Sequence, residues 1–227
     1  MQCTVISSIV GGKDAVVEEQ VTGDATFLLF TDSTVESKVW NVRPAYDRFL
    51  NARRNSRVPK ILPHLFCDTE YSITMDGSMA LLTPPEELIA TYLKDTDIAV
   101  FTHGARDCIY DEAIKCATAK LDDPEVIIEQ ATAYENAGYA KHKGLCECGF
   151  IIRRHTSKVR QFNNEWWAQY TRYSVRDQIS FMFAVDTVGI KLNVIDIPWH
   201  LAVDGTHARR GNIIKMYPHK ILNPTVN

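Results

Sequence analysis

The chain has no long apolar run: nowhere do about 18 hydrophobic residues follow one another, so no membrane-spanning helix is expected. Its opening, Met1-Gln-Cys-Thr-Val-Ile, lacks the basic and then apolar segments of a secretory leader. The six cysteines (Cys3, Cys67, Cys108, Cys116, Cys146 and Cys148) have no framework spacing, and most fall in apolar segments. Reduced core thiols in a cytoplasmic compartment are therefore expected, the host cytoplasm for a virus-encoded chain. There is no internal repeat, no low-complexity tract and no surplus of charge, since a net charge of -3 selects no class of partner.

What is present reads as alternating strands and helices. With 227 residues and 45% hydrophobic content, the chain can bury one substantial core, so one domain over 1–227 is expected. Strands are predicted at Cys3 to Val10, Thr26 to Thr31, Trp40 to Val42, Tyr71 to Met75, Asp97 to Phe101, Phe150 to Ile152 and Lys191 to Ile197, from β-branched and aromatic runs bounded by turn residues. A helical pattern begins near Tyr46, but Pro59 and Pro63 are expected to break it. Further helices are predicted at Glu86 to Lys94, Asp111 to Lys120, Pro124 to Ala137, after Thr156 or Ser157, and from Val175. Beyond Pro198 the chain reads as loop. This alternation argues an α/β fold with a largely parallel sheet.

The most informative stretch is Tyr71-Ser-Ile-Thr-Met-Asp76-Gly77-Ser78, a strand that ends in an acid followed by glycine. In open α/β sheets, ligands bind at the carboxyl ends of the strands, where an Asp suits a ribose, a diphosphate or a divalent metal. Asp-Gly is also the strongest short hairpin signal, so a plain turn is the alternative. Asp32 ends a second strand in the same way, with a solvated turn carboxylate as its alternative. A zinc site from His142, Cys146, Cys148 and His155 is not expected, because the spacing matches no usual knuckle.

In order along the chain stand Pro63-His64, Asp76-Gly77, His103-x-x-Arg106-Asp-Cys108-x-Tyr110-x-Glu112-Ala113, Gly144-Leu-x-Glu147-x-Gly149, Trp166-Trp167 and Tyr173-Ser174-x-Arg176-Asp177-Gln178-x-Ser-Phe181. In this series the chain resembles the glycosyltransferase-like domain of the plant mucilage-related hexosyltransferases, found also in bacterial and viral proteins. The resemblance implies a GT-A-like, Rossmann-like fold with a mixed, mostly parallel sheet flanked by helices. It implies transfer of a hexose or pentose from a nucleoside-diphosphate sugar, a UDP-sugar by analogy, to an acceptor hydroxyl. Asp177 is then the expected base, Gln178 lies under the anomeric carbon, and Glu147 binds sugar hydroxyls or serves as base instead. Donor contacts are expected from Asp32, Asp76, Gly77, Ser78, Lys60, His64, His103 and Arg106, with Arg106 pairing Glu112 as the structural alternative.

GT-A folds hold Mn²⁺ or Mg²⁺ through an Asp-x-Asp motif and often a late histidine. Here Ser78 stands in the second acidic position, leaving Asp76 with His207, or else His200 or His219, as the expected ligands; basic side chains replacing the metal are the alternative. A non-catalytic nucleotide-sugar binder and a ceramidase-like hydrolase, an activity described for related plant proteins, are the other readings of the resemblance. Charge is segregated: Lys38, Arg43, Arg48, Arg53, Arg54, Arg57 and Lys60 accompany one acid, Asp47. Such a basic face would suit a nucleic-acid acceptor such as a hydroxymethylated DNA base, exposed with the help of Trp40, Tyr46 or Trp199. A cytosolic glycan, lipid-linked or small-molecule acceptor is the rival.

Overall fold

A computed structural model describes residues 1–203 and 205–219. Its strands are β1 (Cys3–Ile9), β2 (Thr26–Thr31), β3 (Asn41–Pro44), β4 (Tyr71–Met75), β5 (Met79–Leu81), β6 (Ile98–Thr102), β7 (Cys146–Arg154), β8 (Leu192–Ile195), β9 (Trp199–Leu201), β10 (Ala208–Arg210) and β11 (Ile214–Met216). Its helices are α1 (Ala52–Ile61), α2 (Pro85–Tyr92), α3 (Ile109–Thr118), α4 (Pro124–Asn136), α5 (Ser157–Arg172) and α6 (Asp177–Val188).

Seven strands form one sheet in the order β3-β2-β1-β4-β7-β6-β8. It is the mixed, mostly parallel α/β sheet expected, and its antiparallel member is β7, which runs against both β4 and β6. β1 and β4 are uncharged and buried on both faces, which is why they sit at the centre. From β1 the chain adds β2 and β3 on one side and then returns to add β4 on the other, so the strand order switches between β1 and β4. Crevices for ligands open at such switch points. The reversal of β7 brings its first residues, Cys146 and Glu147, beside the carboxyl end of β6, where they face Thr102 and Phe101.

Asp76-Gly77 is not a hairpin. β5 follows β4 within a few residues but pairs with β11, in a separate four-stranded antiparallel sheet ordered β5-β11-β10-β9. The chain beyond Pro198 is therefore strand-forming, contrary to the loop expected there; its strands have three residues each, too short for a period-2 pattern to reveal them. The second correction concerns α1, which runs through Pro59 and stops at Leu62, before Pro63. No helix among the described residues is long and apolar enough to cross a membrane.

One core layer joins β1, β4 and β6 to α2 and the small sheet, and a second joins the other face of the sheet to α1, α5 and α6. Cys146 and Cys148 both enter the second layer, where burial pushes the Cys146 thiol up to about 12 and Cys148 well above its ordinary value. His142 bonds Asp107 and His155 bonds Ser72, so the four candidate zinc ligands are not gathered.

Burial, and then the neighbouring Arg153, hold His155 down to about 4. A histidine depressed in the fold contributes stability above its unfolded pKa that is lost as pH falls. At about 1.4 kcal/mol per unit, acidification from pH 7 to 4.5 should remove about 2 to 3 kcal/mol through this group alone. Urea unfolding at both pH values should show that much less acid loss in His155→Gln than in the parent chain.

Candidate active site

The site begins with the local chemistry of α1. The Asn51 side chain accepts from the amides of Arg53 and Arg54 and so caps the helix start. From there Arg53, Ser56, Arg57 and Lys60 recur at the i, i+3, i+4, i+7 spacing that puts side chains on one helical stripe. That stripe faces the switch point. Arg53, Ser56 and Arg57 line a cavity of about 590 Å³ together with Ser8, Gly11, Lys13, Asp14, Asp76, Gly77 and His219. Lys60 lies beneath, in a small polar hollow beside Ser7, Ser8 and Asp76. The hydroxyls of Ser7 and Ser8 are buried with no hydrogen-bond partner among the described residues. Gly77 is required by packing, because a Cβ there would lie 2.4 Å from Ile9 Cγ1.

Charge in this half is tightly organised. Lys60 Nζ donates to Asp177 Oδ2 at 2.8 Å and to Asp76 Oδ1 at 3.2 Å, while Arg57 Nε donates to the same Asp177 oxygen at 2.9 Å. Burial raises the Asp177 pKa, but the adjacent Lys60 and Arg57 outweigh it and hold the carboxyl well below the usual range. Burial, and then the nearby Arg53 and Arg57, lower the Lys13 pKa.

The other half of the crevice is built around Glu147, at the start of β7. Its Oε2 accepts from Trp199 Nε1 and from Arg210 Nη2, both at 3.0 Å, whereas among the described residues Oε1 has only a 3.4 Å contact with the Gly104 amide. Arg210 is itself fixed, with both terminal nitrogens on the Thr102 carbonyl and its guanidinium over Phe101 and Trp199. The small sheet thus supplies the two donors that aim Glu147. Gln178 donates to the Cys146 carbonyl at 3.4 Å, next to Glu147.

Several expected residues are placed differently. His103 Nδ1 accepts the amides of Ala105 and Arg106 and so organises the loop after β6; burial and Arg106 lower its pKa. Arg106 is committed to Glu112 at 2.7 Å. Asp32 holds the Gly11 amide at 2.8 Å and shapes the cavity rim without lining the cavity. Ser78 is buried, and its carbonyl accepts from Tyr217 N at 2.9 Å. His64 does not reach the crevice: it follows the far end of α1, bonded to Asn163 at 3.1 Å, because the helix carries it to the opposite edge of the sheet. The late histidine on the cavity is His219, while His207 bonds Thr206 and packs near Tyr217. Lys13, Arg53, Ser56 and Arg57 were not among the expected donor contacts, although the α1 spacing could have identified the last three.

The basic segment does not form a continuous face. Arg54 donates to the carbonyls of Tyr170, Thr171 and Tyr173, and Arg57 and Lys60 are ion-paired inside, leaving Lys38, Arg43 and Arg48 exposed. Trp40 is buried with its Nε1 on the Val17 carbonyl, and Tyr46 packs on Phe49, so neither is poised to enter a base stack.

The donor set at Asp76 does not fit a divalent cation. Oδ1 already faces the Lys60 ammonium, and Oδ2 packs against Gly149, where a Cβ would lie 3.3 Å away. The second acidic position of the motif is Ser78, and His219 is bonded to Asp14 at 2.7 Å. At a diphosphate site a hard cation takes one or two carboxylates from the protein and its other oxygens from phosphate and water, and the one carboxylate offered here is already shared with an ammonium. Among the described residues, three clustered metal-ligating side chains occur at Cys108, Asp111 and His142, on the α3 start rather than at Asp76.

Comparison with known proteins agrees with this layout. Residues 28–219 match the TOD1/MUCI70, glycosyltransferase-like domain. The probable hexosyltransferase MUCI70 of Arabidopsis thaliana is 26% identical over 199 residues, covering 82% of this chain and 33% of that protein, so the chain spans about a third of its relative. Among solved structures, the apo WbbM bifunctional glycosyltransferase matches with a TM-score of 0.50 and 11% identity over 84% of this chain and 38% of its own. Apo mouse xyloside xylosyltransferase 1 matches with a TM-score of 0.50 and 7% identity over 86% of each chain. At these identities the two structures share the GT-A fold with this chain and nothing finer. The match over 28–219 says more: the chain belongs to the TOD1/MUCI70 glycosyltransferase-like domain family.

Proposed function

We propose that this chain transfers a hexose from a nucleoside-diphosphate sugar, in our reading a UDP-sugar, to a glycan hydroxyl. The observation that carries this reading is the cationic stripe of α1 beside Asp76, at the switch point of the sheet. A diphosphate brings negative charge to the Lys13 and Arg53 side chains beside the cavity, with Arg57 next to them already paired to Asp177. Ser8 and Asp76, which line the cavity, supply polar groups for ribose. The Arabidopsis relative is a probable hexosyltransferase, which supports a hexose.

In the acceptor half, we assign the base to Glu147 rather than Asp177. The Asp177 oxygen facing the site carries two cations and has little affinity for a proton, whereas Glu147 Oε1 is left with a single long contact. Transfer then forms the bond from acceptor oxygen to anomeric carbon, breaks the bond from that carbon to the diphosphate oxygen, and sends the acceptor proton to Glu147. Gln178, beside it, would hold a sugar hydroxyl. A glycan is preferred to DNA because so much of the basic segment is engaged within the protein.

The test is UDP binding followed by turnover. UDP at about a hundred times its dissociation constant should stabilise the fold by about 2.7 kcal/mol, and sugar nucleotides with acceptor should release the diphosphate. UDP binding without turnover would leave a nucleotide-sugar binder. A mass increase on hydroxymethylated DNA, with salt-dependent binding, would replace the glycan by DNA. Arg53→Ala removes a charge-assisted contact of about 1.5 to 3 kcal/mol, so UDP affinity measured by calorimetry should fall about 10- to 150-fold.

A further inference from the structure

We propose that the Lys60 ammonium stands in this donor site where related folds place a divalent cation, so that the diphosphate is bound and its leaving charge met without metal. This rests on the donor reading above and concerns how that donor is held. Lys60 holds Asp76, the one carboxylate of the metal motif, at 3.2 Å and joins it to Asp177 at 2.8 Å, and its side chain is only 8% exposed. An ammonium has three protons, and two are taken by these acids, which leaves one for a phosphate oxygen.

The surrounding chain fixes the ammonium. The Lys60 carbonyl accepts from Arg153 Nη1 at 3.1 Å, and Arg153 is fully buried against Trp166. Arg57, one turn earlier, completes a fork of two cations on Asp177. When the bond between anomeric carbon and diphosphate oxygen breaks, the electron pair passes to that oxygen, and with the diphosphate in this cavity Arg57 in its wall and Lys60 beneath it would meet the charge. A preorganised pair of donors acting at a developing charge is the service a metal otherwise gives.

The experiment uses the full chain, UDP and GDP as probes, and calorimetry in EDTA and again with Mn²⁺. Expected is a nucleotide affinity that agrees within about twofold between the two conditions, with no bound Mn²⁺ signal in electron paramagnetic resonance of the protein alone. Lys60→Ala should weaken binding at least about tenfold in EDTA and regain affinity with Mn²⁺, because it releases both carboxylates for the metal. Nucleotide binding by the parent chain that requires Mn²⁺ would overturn this inference and leave the donor reading standing. If neither nucleotide binds in either condition, the donor reading falls and this inference with it. The parent-chain measurement decides even if Lys60→Ala does not fold.

Discussion

Glu147→Gln should lower sugar transfer by about 10²- to 10⁴-fold while leaving UDP affinity within about twofold, the span expected when a general base is removed. The amide keeps the shape of the side chain, and its oxygen can still accept from Trp199 and Arg210, so the small sheet should stay docked. What is lost is the proton affinity of the oxygen next to Gly104. Release of diphosphate under saturating donor, set beside UDP calorimetry, separates the two quantities. Unchanged turnover would return the base to Asp177.

Asp177→Asn should act differently, as a loss of stability of about 3 to 5 kcal/mol, because it leaves Lys60 buried beside Arg57 without their shared carboxylate. Urea unfolding at pH 7 measures it. An acid depressed in the fold contributes stability that is present above its unfolded pKa, about 3.9, and lost as pH falls through the lower folded value. The gap between parent and variant should therefore persist on acidification to about pH 4 and narrow only below it. Pairing the substitution with Lys60→Met should cost less than the two single losses added together, since the double variant removes both members of the pair. A variant as stable as the parent would mean that the cluster is not the internal tie described.

How much of this could be read from the chain differs by element. β1, β2 and β4 were legible because they are uncharged runs rich in β-branched or aromatic residues closed by Gly or Asp, and α4 and α5 because Asp123 and Thr156 cap them as expected. α1 was obscured by Pro59 and by three arginines, although its polar stripe at 53, 56, 57 and 60 carries the helical period. Periodicity methods look for apolar stripes, and here the organised face is cationic. The reversal of β7 depends on pairing between residues far apart in sequence, as in Met75 with Phe150, and local pattern carries no information about it. Among the late histidines, the choice between His207 and His219 is set by the β10 and β11 pairing, again a long-range matter. Asp76 itself was legible; its partner Lys60, 16 residues earlier, became visible as a partner only once α1 was laid beside β4.

The β11 strand and the residues after it return to the segment between β1 and β2: Lys215 pairs with Glu19 at 2.9 Å, and His219 reaches Asp14 across 205 positions of sequence. During synthesis the amino-terminal strands leave the ribosome long before these late residues exist, and chains generally fold from that end. The α/β layers can then assemble first, with Glu147 still lacking Trp199 and Arg210 and the cavity still lacking His219. Competence would arrive as a late event, when the small sheet closes over a framework already formed, and the slow closure of such distant pairs would set its pace.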